Sequence, residues 1–147
     1  MTQIDFYFNA SDKLRLAVNL SSKALSLHLA GATPSRVFLL APDDEVCRQV
    51  ETSLWTLQQT SFLPHCRSSD VRAPETPLIV DHASDNLVHD EILLNLCSHT
   101  PTFFSRFHRL IEIVGQEEAD KLQARERFRF YRDRGYDIRK HDVAGKV

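Results

Sequence analysis

The sequence predicts one α/β domain over residues 1–147, a mostly parallel sheet with helices on both faces. Three observations predict it. Short apolar runs of strand length alternate along the chain with longer stretches of helical apolar spacing. The central runs, VFLL at 37–40 and LIV at 78–80, are continuously apolar, as in strands covered on both faces. At 147 residues and 42% hydrophobic content, the chain has the size of one domain and enough apolar material to build a core.

The elements follow in order. Residues 4–8, IDFYF, form a first strand rich in aromatics. Ser11 and Asp12 offer N-cap chemistry for a helix in which Leu14, Val18, Leu25 and Leu29 recur up to Gly31, a plausible stop. Residues 36–41 form a second strand. The acidic start PDDE at 42–45 suits the positive end of a second helix, which runs towards Trp55. Residues 58–76 are polar and punctuated by Pro64 and Pro74, and read as a loop. Strands follow at 77–80 and 91–96. Pro101 opens a short helix reaching Phe107, and LIEIV at 110–114 is a fifth strand. Gln116 to Arg134 is a long, highly charged helix ended by Gly135, and Tyr136 to Ile138 a last short strand. No repeat, low-complexity tract or linker divides the chain.

The order of elements is Rossmann-like, but the residues argue against a nucleotide site. The only glycines are Gly31, Gly115, Gly135 and Gly145, and the first strand–helix turn, residues 9–12, has none. A phosphate cradle needs backbone approach without Cβ atoms, and neither GxGxxG nor GxxxxGK[ST] occurs. Seven histidines and three cysteines give neighbours such as His65–Cys66 and Cys97–His99, without the paired spacing of a zinc ribbon or an HExxH helix. No GxSxG elbow supports a nucleophile. The expectation is therefore no catalytic residue, no metal and no cofactor. Cys47, Cys66 and Cys97 are expected to be small unpaired thiols. With no basic leader and no run of about 20 apolar residues, the expected compartment is cytoplasmic.

The informative segment is the last helix. Residues 121–140 carry eight basic side chains against three acids, a net +5, whereas the rest has ten basic and seventeen acidic residues, a net −7. At the helical repeat, Lys121, Arg125, Arg129 and Arg132 fall within a stripe roughly 80° wide. Ala124, Phe128 and Tyr131 form an apolar stripe beside it, with Phe128 at the seam. A cationic row along an aromatic edge suits a ligand that is anionic and apolar together. An acidic peptide with a terminal aromatic residue fits, its ring in the seam and its carboxylate on an Arg fork. A solvated charged face is the bland alternative, and nucleic acid the second functional one.

The stretch ARERFRFYR at 124–132, followed by Gly135 and Tyr136, resembles the ARERY-x-x-YR…GF/GY pattern of the DNA polymerase III chi subunit family. SLW at 53–55 and SFLPH at 61–65 are similar to that family's LW…SFxPH segment. LLNL at 93–96, Phe103, Phe107, EIV at 112–114 and the opening Phe6–Tyr7 continue in family order. The resemblance implies a non-catalytic adaptor of the bacterial DNA polymerase III holoenzyme. Such a subunit pairs with the psi subunit, which tethers it to the clamp loader. It also binds the acidic C-terminal tail of single-stranded DNA-binding protein, which ends in Asp-Phe. The tail-binding positions implied are Lys121, Arg125, Phe128 and Arg129. Phe128 stands where the family often has Tyr, which removes a hydroxyl and keeps the ring. Trp55, Phe62, Pro64, Tyr131 and Arg132 are further candidates for docking a partner. For Trp55, Phe62 and Pro64 the alternative is core packing and a rigid turn, and the sequence does not decide whether their partner is psi or the tail. The rival readings are an α/β enzyme acting on a phosphorylated ligand and a direct nucleic-acid-binding domain. One measurement separates the enzyme reading from the others: titration calorimetry with ATP or NAD is expected to show no binding at sub-millimolar concentration, and stoichiometric binding of either would revive it.

Overall fold

The structure, a computed structural model, describes residues 1–29, 36–56, 64–83 and 87–144, without the side chains of 26–29. The elements are β1 (Gln3–Ala10), α1 (Lys13–Leu29), β2 (Val37–Leu40), α2 (Asp44–Thr56), β3 (His65–Cys66), β4 (Leu78–Asp81), β5 (Ile92–Asn95), β6 (Arg109–Gly115), α3 (Glu118–Asp133) and β7 (Ile138–Asp142). These strands form one sheet in the order β3-β4-β2-β5-β6-β1-β7, and every neighbouring pair is parallel. The α/β architecture expected from the sequence is the one observed.

Alternation along the strands divides the core. Val37 and Leu39 of β2 pack with Leu16, Val18 and Leu25 of α1 and Cys47, Val50 and Leu54 of α2. Phe38 and Leu40 face the other way and join Ile4 and Phe6 of β1, Phe104, Phe107, and Ala124 and Tyr131 of α3. Helices α1 and α2 thus cover one face and α3 the other, as side chains of period two require. The crossover from β6 to β7 passes over β1, which lies between them, and this lays α3 along β1.

Local chemistry sets the helix ends. The carboxylates of Asp12 and Asp43 accept from the amides of Arg15 (3.1 Å) and Val46 (2.9 Å), capping α1 and α2. At the end of α3 Gly135 adopts φ +81°, and the amides of Gly135 and Tyr136 turn back to the carbonyls of Arg132 and Tyr131, closing a Schellman motif.

Three expectations need correction. The stretch 58–76, read as loop, contains β3, whose two residues are too few to show a period. The helix expected over 101–107 is a single 3-10 turn at Phe104–Arg106, because Phe104 and Phe107 turn into the core instead of forming a helical stripe. The last strand begins at Ile138 and runs to Asp142. Its polar sequence IRKHD carries no strand signal: Ile138 alone packs on the core, Lys140 lies over the Phe128 ring, and Arg139 and His141 turn to the carboxylate of Asp5. The proposed stop at Gly31 lies outside the described residues.

Two buried acids fasten the sheet to its surroundings. Glu112 of β6 is fully buried beneath α3. It accepts from Arg127 Nε at 3.1 Å, Asn95 Nδ2 at 3.0 Å and the Tyr131 hydroxyl at 2.5 Å. Arg127 also donates to the Ser98 carbonyl at 2.8 Å. Burial pushes the Glu112 carboxyl above its ordinary range, against the pull of Arg127, Tyr131 and Asn95. On the opposite face, buried Asp5 of β1 holds Arg109 of β6 at 2.9 Å and, from β7, His141 at 2.8 Å and Arg139 at 3.4 Å. Burial alone would raise the Asp5 carboxyl. The hydrogen bonds from His141 and Arg109 and the charges of Arg109 and Arg139 together bring it below its usual value.

Removing Arg127 leaves Glu112 buried without its counter-charge. Arg127→Ala is expected to lower stability by about 3–5 kcal/mol in urea unfolding, and the paired change Arg127→Met with Glu112→Gln to recover much of it. A loss under about 1 kcal/mol for Arg127→Ala would show that the pair does not anchor α3. For Asp5 the pKa is lower in the folded chain than in the unfolded one. Its ionisation therefore stabilises the fold above about pH 4, and that contribution disappears as the pH falls through the folded value. Thermal melts are expected to show Asp5→Asn below wild type at pH 7, with the gap closing in acid; a gap independent of pH contradicts the assignment.

Candidate functional site: a cationic groove between α3 and β7

Because α3 lies along β1, its outer flank and the neighbouring β7 enclose a groove of about 570 Å³. Its α3 wall is Lys121, Arg125, Phe128, Arg129 and Arg132. Phe6, Phe8, Val114 and Ala124 line its apolar floor, Lys140 of β7 stands on the far side, and Asn9 and Gly115 close one end. The four tail-binding candidates, Lys121, Arg125, Phe128 and Arg129, are thus brought together, with Arg132 beside them.

Phe128 is half-buried at the centre. Its ring meets Phe6 edge to face at 5.5 Å, and Lys140 Nζ lies 5.0 Å from its centroid, within cation–π range. The cations differ in what they already touch. Half-buried Lys121 has exposed Glu118 at 3.8 Å, and at exposed positions Arg129 has Glu126 at 3.3 Å and Arg132 has Asp133 at 3.2 Å; such surface pairs are weak. Arg125 is exposed and makes no ion pair with any described residue. An apolar floor between guanidinium and ammonium groups can take an aromatic ring and carboxylates at once.

The closed end lies where β1 and β6 send their chains to opposite faces, the position at which open α/β sheets commonly bind ligands. Here it is filled from within. Asp120 of α3 accepts from the Gly115 amide at 2.6 Å and pairs with Lys13 at 3.2 Å. A Cβ on Gly115 would meet both Asp120 and Lys13 at 3.3 Å. Asn9 adopts φ +66°, and its side chain donates to Asp142 at 3.1 Å, tying the end of β1 to β7.

The remaining candidates lie elsewhere. Tyr131 is a correction: it is fully buried with its hydroxyl on Glu112, so it is a core residue and offers no docking surface. Trp55 is 65% exposed near the end of α2, its ring edge-on to His65 at 6.4 Å, and Pro64 is exposed beside it. Both sit beside β3, the sheet edge opposite β7. Phe62 lies outside the described residues. Among the described residues no cluster of three His, Cys, Asp or Glu could hold a metal ion. Cys47, Cys66 and Cys97 are free and buried, and burial pushes the Cys47 and Cys97 thiols up to about 11. No helix of the described residues is long and apolar enough to cross a membrane.

Sequence reading missed Phe6 and Phe8 as groove floor and Lys140 as its far side. The first two were legible as the even-numbered face of β1. Lys140 was not, because its strand carries no strand pattern.

Comparison with known proteins bears on the whole chain. Residues 1–139 match the family model described as DNA polymerase III chi subunit, HolC. The chain is 30% identical over 145 residues to the DNA polymerase III subunit chi of Pseudomonas aeruginosa, covering 96% of each. It is 27% identical over 109 residues to the subunit chi of Haemophilus influenzae, covering 74% of this chain and 76% of that protein. The subunit chi of Escherichia coli is 25% identical over 104 residues, covering 70% and 71%. With a family model spanning nearly its full length and the motifs of α3 assembled on one groove, the chain belongs to the DNA polymerase III chi subunit family.

Proposed function

We propose that this chain is a non-catalytic adaptor in DNA replication. It links the clamp-loader complex, through the psi subunit, to the acidic C-terminal tail of single-stranded DNA-binding protein in the cytoplasm. The observation that supports this is the groove between α3 and β7, where cations surround a half-buried aromatic ring. The tail's terminal Phe enters beside Phe128 over the apolar floor, and its carboxylate meets Arg125, the exposed guanidinium with no described counter-charge. Lys121 and Arg129 exchange weak surface contacts for ligand carboxylates. Phosphate backbones would also seek such cations, but the +5 of residues 121–140 sits in a chain whose remainder is −7, which opposes a primary nucleic-acid role. An adaptor needs two separate surfaces. The exposed Trp55 and Pro64 beside the opposite sheet edge leave psi a place away from the groove.

Arg125→Ala is expected to weaken tail-peptide binding at least about tenfold, or 1.4 kcal/mol. This minimum lies just below the roughly 1.5–3 kcal/mol of a charge-assisted hydrogen bond. The loss should appear mainly as faster dissociation, since the remaining cations preserve long-range attraction. Phe128→Ala should weaken binding with less dependence on salt, and Phe128→Tyr should be mild because the ring is kept. Titration at two salt concentrations, with circular dichroism to verify folding, checks these outcomes. Wild-type affinity in folded Arg125→Ala would make the helix a solvated face only.

A further inference from the structure

We propose that Lys140 is a specificity-determining residue of the groove, taking the side-chain carboxylate of an acidic residue that lies upstream of the ligand's terminal aromatic. This rests on the acidic-tail reading above and deepens it. Lys140 comes from β7, not α3, and its side chain follows from strand alternation. Its neighbours Arg139 and His141 point to the α1 side, where both reach Asp5. Lys140 therefore points to the α3 side and lines the groove, its ammonium 5.0 Å from the Phe128 ring.

Two features make it a contact for ligand rather than a solvated lysine. Like Arg125, Lys140 is exposed and has no ion pair among the described residues. It also stands across the aromatic floor from the cations of α3, so the groove carries positive charge on both sides. A ligand whose only anion is its terminal carboxylate satisfies the α3 side alone. An extended peptide sends successive side chains to opposite sides, so an acid shortly before the terminal ring reaches across to β7. The strand itself is held in place, by its pairing with β1 and by Asp5, so the lysine offers a mobile ammonium on a fixed base.

The test uses two synthetic peptides with a C-terminal Phe. One carries acidic residues before that Phe, the penultimate Asp included; in the other every one of these acids is replaced by Asn. Fluorescence anisotropy titration at low salt is expected to show Lys140→Gln weakening the acidic peptide about threefold to fivefold, the range of an exposed charge pair, with the Asn peptide unaffected. Arg125→Ala should weaken both peptides. Lys23→Gln removes the same charge from an exposed position of α1, across the sheet from the groove, and should leave both titrations unchanged, with circular dichroism confirming that each variant is folded. Equal loss for both peptides in Lys140→Gln, an equal loss in Lys23→Gln, or wild-type binding by Lys140→Gln overturns the inference. If Lys140→Gln has no effect while Arg125→Ala still loses affinity, the groove stands without this contact. If Arg125→Ala also binds as wild type, the reading of the groove itself falls and the inference falls with it.

Discussion

The Glu112–Arg127 pair is the interaction on which the groove depends. Helix α3 buries only Ala124, Arg127 and Tyr131, a thin apolar stripe for sixteen residues. Two of those three side chains end on one carboxylate. A buried ion pair is a poor source of net stability but a strong constraint on geometry, because any other arrangement leaves a charge stranded. Here the constraint is rotational. With Arg127 pinned inward, Phe128 falls at the edge of the helix against Phe6, and Arg125 and Arg129 fall on the flank that faces β7. Turning the helix by one residue would expose Tyr131 and bring either Arg125 and Arg132 or Gln123 and Glu126 into the buried places.

Asp5 performs the matching task on the other face. One carboxylate, buried on β1, collects side chains from the strands on either side of it, Arg109 from β6 and Arg139 and His141 from β7. An edge strand as polar as β7 has little hydrophobic reason to stay on the sheet, so these charge-assisted bonds supply it. The two acids therefore fix the two walls of the groove independently, one from each side of the sheet.

The parts of the fold legible in the sequence were those with a local signal: the buried runs of β2, β4 and β5, the cap at Asp12, the acidic start of α2, and the glycine that ends α3. The cationic row of α3 was legible for the same reason, since Lys121, Arg125, Arg129 and Arg132 share a helical face. What periodicity does not carry was missed. Tyr131 looks like a surface aromatic next to arginines until its hydroxyl is seen on Glu112. Arg127 counts as one more cation until it is seen turned inward, although its place between Ala124 and Tyr131 at core spacing was a signal. The lone acids within IDFYF and LIEIV were another, because a carboxylate in an apolar strand needs a partner. For β3 and β7 no local pattern exists; their pairing is decided by strands far away in sequence.

The breadth of the sheet sets a distance. Adjacent strands lie about 4.8 Å apart, so six intervals place β3 and β7 about 29 Å from each other. Trp55 and Pro64 stand by the first and the groove borders the second, joined by uninterrupted ladders of backbone hydrogen bonds. Such a sheet is a strut. Molecules attached at its two margins are kept at a nearly constant separation, wide enough that they do not collide, and short enough that holding one sharply raises the local concentration of the other.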